Sequence, residues 1–196
     1  MGSPRAREVV AEARRLLEEE GAESLTMRRL ADRLGIRAPS LYRHLPDKTA
    51  LEAAIIAAGM EEAAAAFEAA VDGAEAGVES GRAVDGAEAG IGVGPEVGGA
   101  AGALQALAAA YRWFALEHPH LYRLMHNGPL PRQHLPPGLE ERTAAPLLRV
   151  AGSRARARAL WGFAHGMVML ELDHRFPPDA DLDAAWQAGI AAFRPA

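Results

Sequence analysis

Between Gly21 and Lys48 the chain is broken at intervals that allow only short helices, and no alternating apolar pattern there offers a strand. Thr26 is a good N-cap. Leu25 and Leu30 are spaced as a hydrophobic staple, and Leu30, Ala31 and Leu34 form an apolar stripe that Gly35 ends. This predicts a helix over 26–34. A shorter one follows over 38–44, where Pro39 falls in the first turn and has no intrahelical N–H bond to forfeit. Pro46 ends that helix, and Asp47 can cap another running from about 48 to 71. Helix, glycine turn, short helix is the helix-turn-helix arrangement, whose second helix can enter a DNA major groove.

The charge supports that use. The 196-residue chain is acidic, with a formal charge of -5, yet residues 26–48 carry Arg28, Arg29, Arg33, Arg37, Arg43 and Lys48 against Asp32 and Asp47. That segment is +4 and the remainder -9. A basic patch on an acidic body suits a protein that meets DNA with one face only. Pro39 can touch a thymine methyl, Ser40 a base edge or phosphate, and Arg43 guanine or phosphate. Tyr42 and His44 can donate to phosphate oxygens. Lys48 sits at a helix start that itself favours an anion, and Arg28 is placed to reach the groove edge.

"LTMRRLADRLGIRAPSLYRHLPDKTALEAAI", residues 25–55, resembles the DNA-binding module of the TetR family of transcriptional regulators. The resemblance rests on a Thr-led helix, an "LA…LG" core, a turn, an "LY.H" helix and a lysine opening the next helix. It implies groove or backbone contacts for Arg28, Pro39, Ser40, Tyr42, Arg43, His44 and Lys48. Arg37 stands where a Ser or Thr cap is frequent and can point to phosphate or to solvent. Ala50 lacks the carboxylate of a capping box.

Elsewhere the pattern is also helical. Val9, Val10, Ala13, Leu16 and Leu17 predict a helix over 6–20, closed by Gly21. Further helices are expected from about 103 to the residue before Pro119, over "PHLYRLMHN", over 139–150, over 153–174 and over about 180–194. Residues 72–102 interrupt them. They carry "DGAEAG" at 72–77 and 85–90, ten glycines and no aromatic residue, and read as a Gly-rich flexible insert unable to bury enough apolar area to offset its backbone entropy. The expected fold is all-α, with a helix-turn-helix domain over 1–50 and a larger helical regulatory and dimerisation domain over 51–196.

"YRWFALEHPHLYRLM" and "WGFAHGMVMLEL" resemble the regulatory domain of a TetR-family branch marked by a tryptophan, a histidine and a glycine on one helix, here Trp161, His165 and Gly166. Trp113, Phe114, Tyr122, Met125, Trp161, His165 and Met169 can line a small-molecule pocket of apolar walls and few polar handles. Each also reads as core, and His165 as a satisfied structural histidine. Gly162 and Gly166 allow close helix packing. The last two long helices carry more apolar surface than one subunit covers. The resemblance implies that they pair across a two-fold axis, giving a homodimer matched to a palindromic operator.

Other chemistry finds little support. There is no cysteine, so disulfides and thiolate metal sites are excluded. His118, His120 and His126 cluster around Pro119 without a His-Glu-x-x-His spacing, and the adjacent pairs Glu61/Glu62 and Glu140/Glu141 read as solvated faces. No metal, no cofactor and no nucleophile–base pair is expected, and the chain does not read as an enzyme. No apolar run reaches membrane-spanning length, and the N-terminus lacks a signal-like apolar segment, so a cytoplasmic protein is expected. The leading expectation is a repressor released from its operator by a small apolar ligand. The alternatives are a DNA-binding regulator with no small-molecule inducer and a helical metal-dependent enzyme.

Overall fold

A computed structural model describes residues 4–43, 45–79 and 99–193. Among them there are helices and turns and no strand: α1 (Pro4–Glu20), α2 (Met27–Arg33), α3 (Ala38–Tyr42), α4 (Lys48–Glu79), α5 (Ala100–Glu117), α6 (Pro119–His126), α7 (Leu139–Ala151), α8 (Arg154–Leu172) and α9 (Leu182–Ala191). One-turn 3-10 segments lie at Ala22–Ser24 and Arg132–His134. The all-α expectation holds.

The chain divides into two compact units, one built from residues 1–62 and 118–139 and the other from 63–117 and 140–196. In the first, the apolar stripe of α1 (Val9, Ala13, Leu16, Leu17) is fully buried together with Leu25, Leu30, Leu41, Leu51 and Ile55. Leu124, Met125, Leu130 and Leu135 pack on a second cluster made by Ile56, Ala57, Met60 and Leu139. Gly59 permits this approach: a Cβ there would meet the Met125 sulfur at 2.9 Å and Leu121 at 3.0 Å.

In the second unit, Phe67 stacks on Tyr111 at 5.7 Å and meets Phe114 edge-on at 6.2 Å. Phe163 packs edge-on against Trp186 at 5.6 Å and beside Phe193 at 5.9 Å. Gly189 makes the α8–α9 contact possible, because a Cβ at that position would lie 1.9 Å from the Phe163 ring. Arg112 of α5 joins α8 and α9. It pairs with Glu171 at 2.9 Å and Asp183 at 2.6 Å and lies over the Trp186 ring, whose Nε1 donates to Glu171 at 2.5 Å. Glu171 is nearly buried, so the charge-assisted bonds it accepts are what make its burial tolerable.

Helix reaches into both ends of the segment 72–102 whose composition suggested an insert. Helix α4 runs on to Glu79 and α5 begins at Ala100, so the first "DGAEAG" is helical, and the second lies outside the described residues. Val71 is buried, and Asp72 and Glu75 both pair with Arg149 of α7, at 2.5 and 3.4 Å. Alanine and glutamate favour the helix at this point, and those pairs add a surface for it to rest on.

Candidate nucleic-acid interface and regulatory unit

The turn between α2 and α3 is built by backbone geometry that the glycine makes possible. Thr26 Oγ1 accepts the Arg29 N–H at 3.2 Å and opens α2. At the other end, Gly35 is left-handed with φ +62°. The Ile36 N–H reaches the Ala31 carbonyl at 3.0 Å and the Gly35 N–H the Asp32 carbonyl at 3.2 Å. These two bonds define a Schellman motif, which satisfies the last carbonyls of α2 and turns the chain sharply. Arg37, extended at φ -77° and ψ 139°, then precedes α3 without a side-chain cap.

Leu41 is fully buried and Leu45 nearly so, which anchors α3 and fixes its outward side. That side exposes Pro39, Tyr42 and Arg43, with Ser40 half-buried. Tyr42 keeps 49% of its surface exposed, the one large hydrophobic among the described residues of the first unit to do so. Arg28 and Arg37 are exposed nearby in sequence, and His44 lies outside the described residues. Asp47 Oδ1 accepts the Ala50 N–H at 2.7 Å and starts α4, which places Lys48 in its first turn, 3.5 Å from Glu52. The cap that Ala50 cannot reciprocate is therefore supplied one-sidedly by Asp47.

Not every base in this segment faces outward. Arg33 bonds Glu12 at 2.7 Å and Glu19 at 2.6 Å, with Glu20 at 3.5 Å, and Arg29 pairs with Glu20. The Glu19 bond, then the Glu12 bond, hold Arg33 charged well beyond an ordinary arginine, while Arg33 lowers Glu19 below the usual carboxylate range. These two arginines tie α2 to α1. Arg28, Arg37 and Arg43 make no ion pair among the described residues and form the outward cationic set.

The seven residues expected for a pocket fall in both units. Tyr122 and Met125 belong to the first unit, where Tyr122 is fully buried and rests 4.2 Å from His126. In the second unit Phe114 is buried core, Met169 is half-buried, and Trp113 and Trp161 are 50% and 47% exposed. Trp161 and His165 lie near one another at 6.3 Å. Burial lowers the pKa of His165. The second unit also has an open hollow of about 540 Å³ near the α8–α9 loop. Leu116, Leu170, Phe176 and Leu182 line it, with Glu171 and His174, and it includes none of the seven. On α8, Gly162 and Gly166 look onto open space, and on α9 Ala184, Ala185, Ala188 and Ala191 are exposed.

The histidines around Pro119 go to different partners. His118 Nε2 is 3.2 Å from Glu62, and His126 Nδ1 is 2.8 Å from the Tyr122 carbonyl. His120 lies against Gly21. Sequence reasoning missed Glu18, whose carboxylate accepts the backbone N–H groups of His120 and Leu121. A contact across about a hundred positions leaves no local pattern to read.

Comparison with known proteins bears on both units. Residues 9–55 match the family described as "Bacterial regulatory proteins, tetR family", and residues 104–193 match "Tetracyclin repressor-like, C-terminal domain". The tetracycline repressor protein class C of Escherichia coli is 51% identical over 43 residues, 22% of this chain and 20% of that protein. The class A repressor from transposon 1721 of Escherichia coli is 44% identical over 54 residues, 28% of this chain and 25% of that protein. The chain thus aligns with about a fifth to a quarter of the length of these curated relatives. Among solved structures, a protein of unknown function from Rhodococcus sp. RHA1 superposes with a TM-score of 0.71 at 24% identity, over 98% of this chain and 94% of that one. A TetR variant from Acinetobacter baumannii AYE, in complex with minocycline, gives 0.60 at 24% identity over 94% and 91%. At such identities the likeness is one of fold.

Proposed function

Because this chain belongs to the TetR family of bacterial regulatory proteins, we propose that it is a DNA-binding transcriptional regulator whose first unit reads an operator. The observation that carries this is the geometry of α3. A Schellman turn sets its angle, Leu41 anchors it, and Pro39, Tyr42 and Arg43 point outward beside Arg28 and Arg37. Arg28, Arg37, Pro39, Ser40, Tyr42, Arg43, His44 and Lys48 are the proposed contacts, within a DNA-binding domain of residues 1–50.

Residues 51–196 form the proposed regulatory and dimerisation domain. The open glycines of α8, the exposed alanines of α9 and exposed Trp161 and Leu170 support pairing of two copies through these helices. Such a C2 dimer would present two α3 helices about 34–36 Å apart to a palindromic site. Repression is the proposed sense of control. A small apolar effector bound by the second unit would favour a dimer with different spacing, and only its differential affinity for that state can empty the operator. One observation favours a regulator without such an effector: Phe114 and Tyr122 are closed into core packing. No catalytic role is assigned. No described helix is long and apolar enough to cross a membrane, and action in the cytoplasm is part of the proposal.

Selection of bound duplexes from a random pool tests the reading. It should return an inverted repeat with half-sites about one helical turn apart. Recovery of no enriched sequence would sink it. Gly166→Arg should leave a folded chain that sediments as a monomer, and a persisting dimer would move the interface off α8. A compound screen separates the two forms of control: an effector must raise Tm and weaken operator binding together.

A further inference from the structure

Helix α6 has no cap of its own. His118 precedes it and makes no side-chain cap bond, and Pro119 occupies its first turn with no N–H to satisfy. The next two N–H groups, those of His120 and Leu121, would be orphans. Glu18 of α1 accepts both, at 3.3 and 2.9 Å. A carboxylate at this end also meets the positive pole of the helix dipole. Helix α6 is therefore capped by a residue about a hundred positions away.

The cap is one part of a closed arrangement. Arg14, one turn before Glu18 on the same face of α1, pairs with Glu62 of α4. Glu62 also lies 3.2 Å from His118 at the start of α6. Gly21, whose φ of +79° favours glycine, ends α1 beside the His120 ring, which would lie 3.5 Å from a Cβ there, an ordinary contact. A different side of α1 carries Glu12 and Glu19, which hold Arg33 of α2. One rigid helix thus grips α6 on one side and the helix before the DNA-reading turn on the other.

We propose that Glu18 is a positioning residue: by capping α6 it fixes the seat of α6 on α1 and, through α1 and Arg33, the orientation of the α2–α3 head. This rests on the reading of the first unit as DNA-binding. It adds a residue, a chemical reason and a direction of coupling to that reading. Residue 118 follows directly on α5, so the cap lies where the chain re-enters the first unit from the second.

The test uses the full chain, the duplex recovered from the random pool, and Glu18→Ala and Glu18→Gln, with Glu61→Ala as an exposed control on α4. In Glu18→Ala the amide protons of His120 and Leu121 should exchange about tenfold faster. The duplex dissociation constant should change by about fivefold or more at a temperature where circular dichroism shows the chain folded. Gln, which keeps an acceptor oxygen without the charge, should fall between wild type and Ala in both readouts and serves where Ala does not fold. A cap that is merely structural would lower Tm and speed exchange while duplex affinity stays within about twofold of wild type; that result overturns the proposal. Unchanged exchange overturns it too, by showing that the cap is not formed in solution. A wild-type chain that selects no duplex defeats the DNA reading itself, and that failure is visible before any variant is made.

Discussion

The two units of this chain bury their apolar residues to different degrees of completion. Among the described residues of the first unit, Tyr42 is the one large hydrophobic left exposed, and it sits on the proposed reading face. The second unit leaves Trp113, Leu116, Leu148, Trp161 and Leu170 exposed. The first unit is closed by its own helix ends: Thr26 and Gly35 start and stop short α2, Asp47 starts α4, and α1 holds α2 with carboxylates. The second has helices held by aromatic packing and by two arginines, Arg112 and Arg149, each between two carboxylates. A unit that closes by capping needs no partner for its core. One that leaves tryptophans and leucines in water has surface to spare for a second copy or a ligand.

The comparison can be broken at the joints that differ. Gly189→Ala should have the largest effect, because the new Cβ overlaps the Phe163 ring and the ring has Trp186 and Phe193 beside it. A loss of about 2–3 kcal/mol is expected in urea unfolding, and a neutral result would mean that α9 is free to move away from α8. Next come two arginines of the first unit with opposite fates. Arg43→Ala should weaken operator binding by about 1–3 kcal/mol. Arg33→Ala should lower stability and loosen the seat of the head, so that affinity falls while the salt slope of DNA binding stays unchanged. Equal losses of salt dependence in the two variants would erase the distinction between outward and inward bases.

A gain is expected from His174, which holds φ +50° just past the end of α8, where glycine is usual. Its neighbour Arg175 donates to the Leu170 carbonyl in the Schellman pattern. His174→Gly should raise stability by about 0.5–1 kcal/mol as read by chemical denaturation; a loss would show that the imidazole contributes contacts that outweigh the strain. The smallest effect is in pH. Burial lowers the His165 pKa below its ordinary value of 6.5, so the folded chain binds fewer protons than the unfolded one near that pH. The resulting stability is present above the unfolded value and is lost as pH falls through the folded one. Tm should decline from about pH 7.5 to about 5.5, and His165→Gln should flatten that decline. An identical slope in the variant would assign the decline to other groups.

Local signals were legible where the sequence carries both a cap and a stripe. Thr26 with Leu30, Gly35, and Asp47 each mark an end that the structure places within a residue or two. Composition misled at 72–79, where glycine count spoke for a loop and tertiary contacts to Arg149 support helix. Pro146 shows the same rule from the other side: it lies inside α7, where propensity alone would end the helix, and it is buried there. The six bases of 26–48 were countable, but their division into three outward arginines, two that hold α1 and a lysine beside Glu52 was not. The seven pocket residues were read as large, mostly apolar groups on neighbouring helices, and their burial, from fully buried Tyr122 to half-exposed Trp113, was not legible in that type.

By itself, the sequence determined an all-helical chain, a helix-turn-helix near its start and the family to which it belongs, because caps, turns and helical stripes act over three or four residues. Tertiary structure alone decided which charges are spent inside, that α4 continues through 72–79, and that α6 takes its cap from Glu18. Those outcomes depend on side chains brought together from distant positions, and no local spacing encodes a partner a hundred residues away.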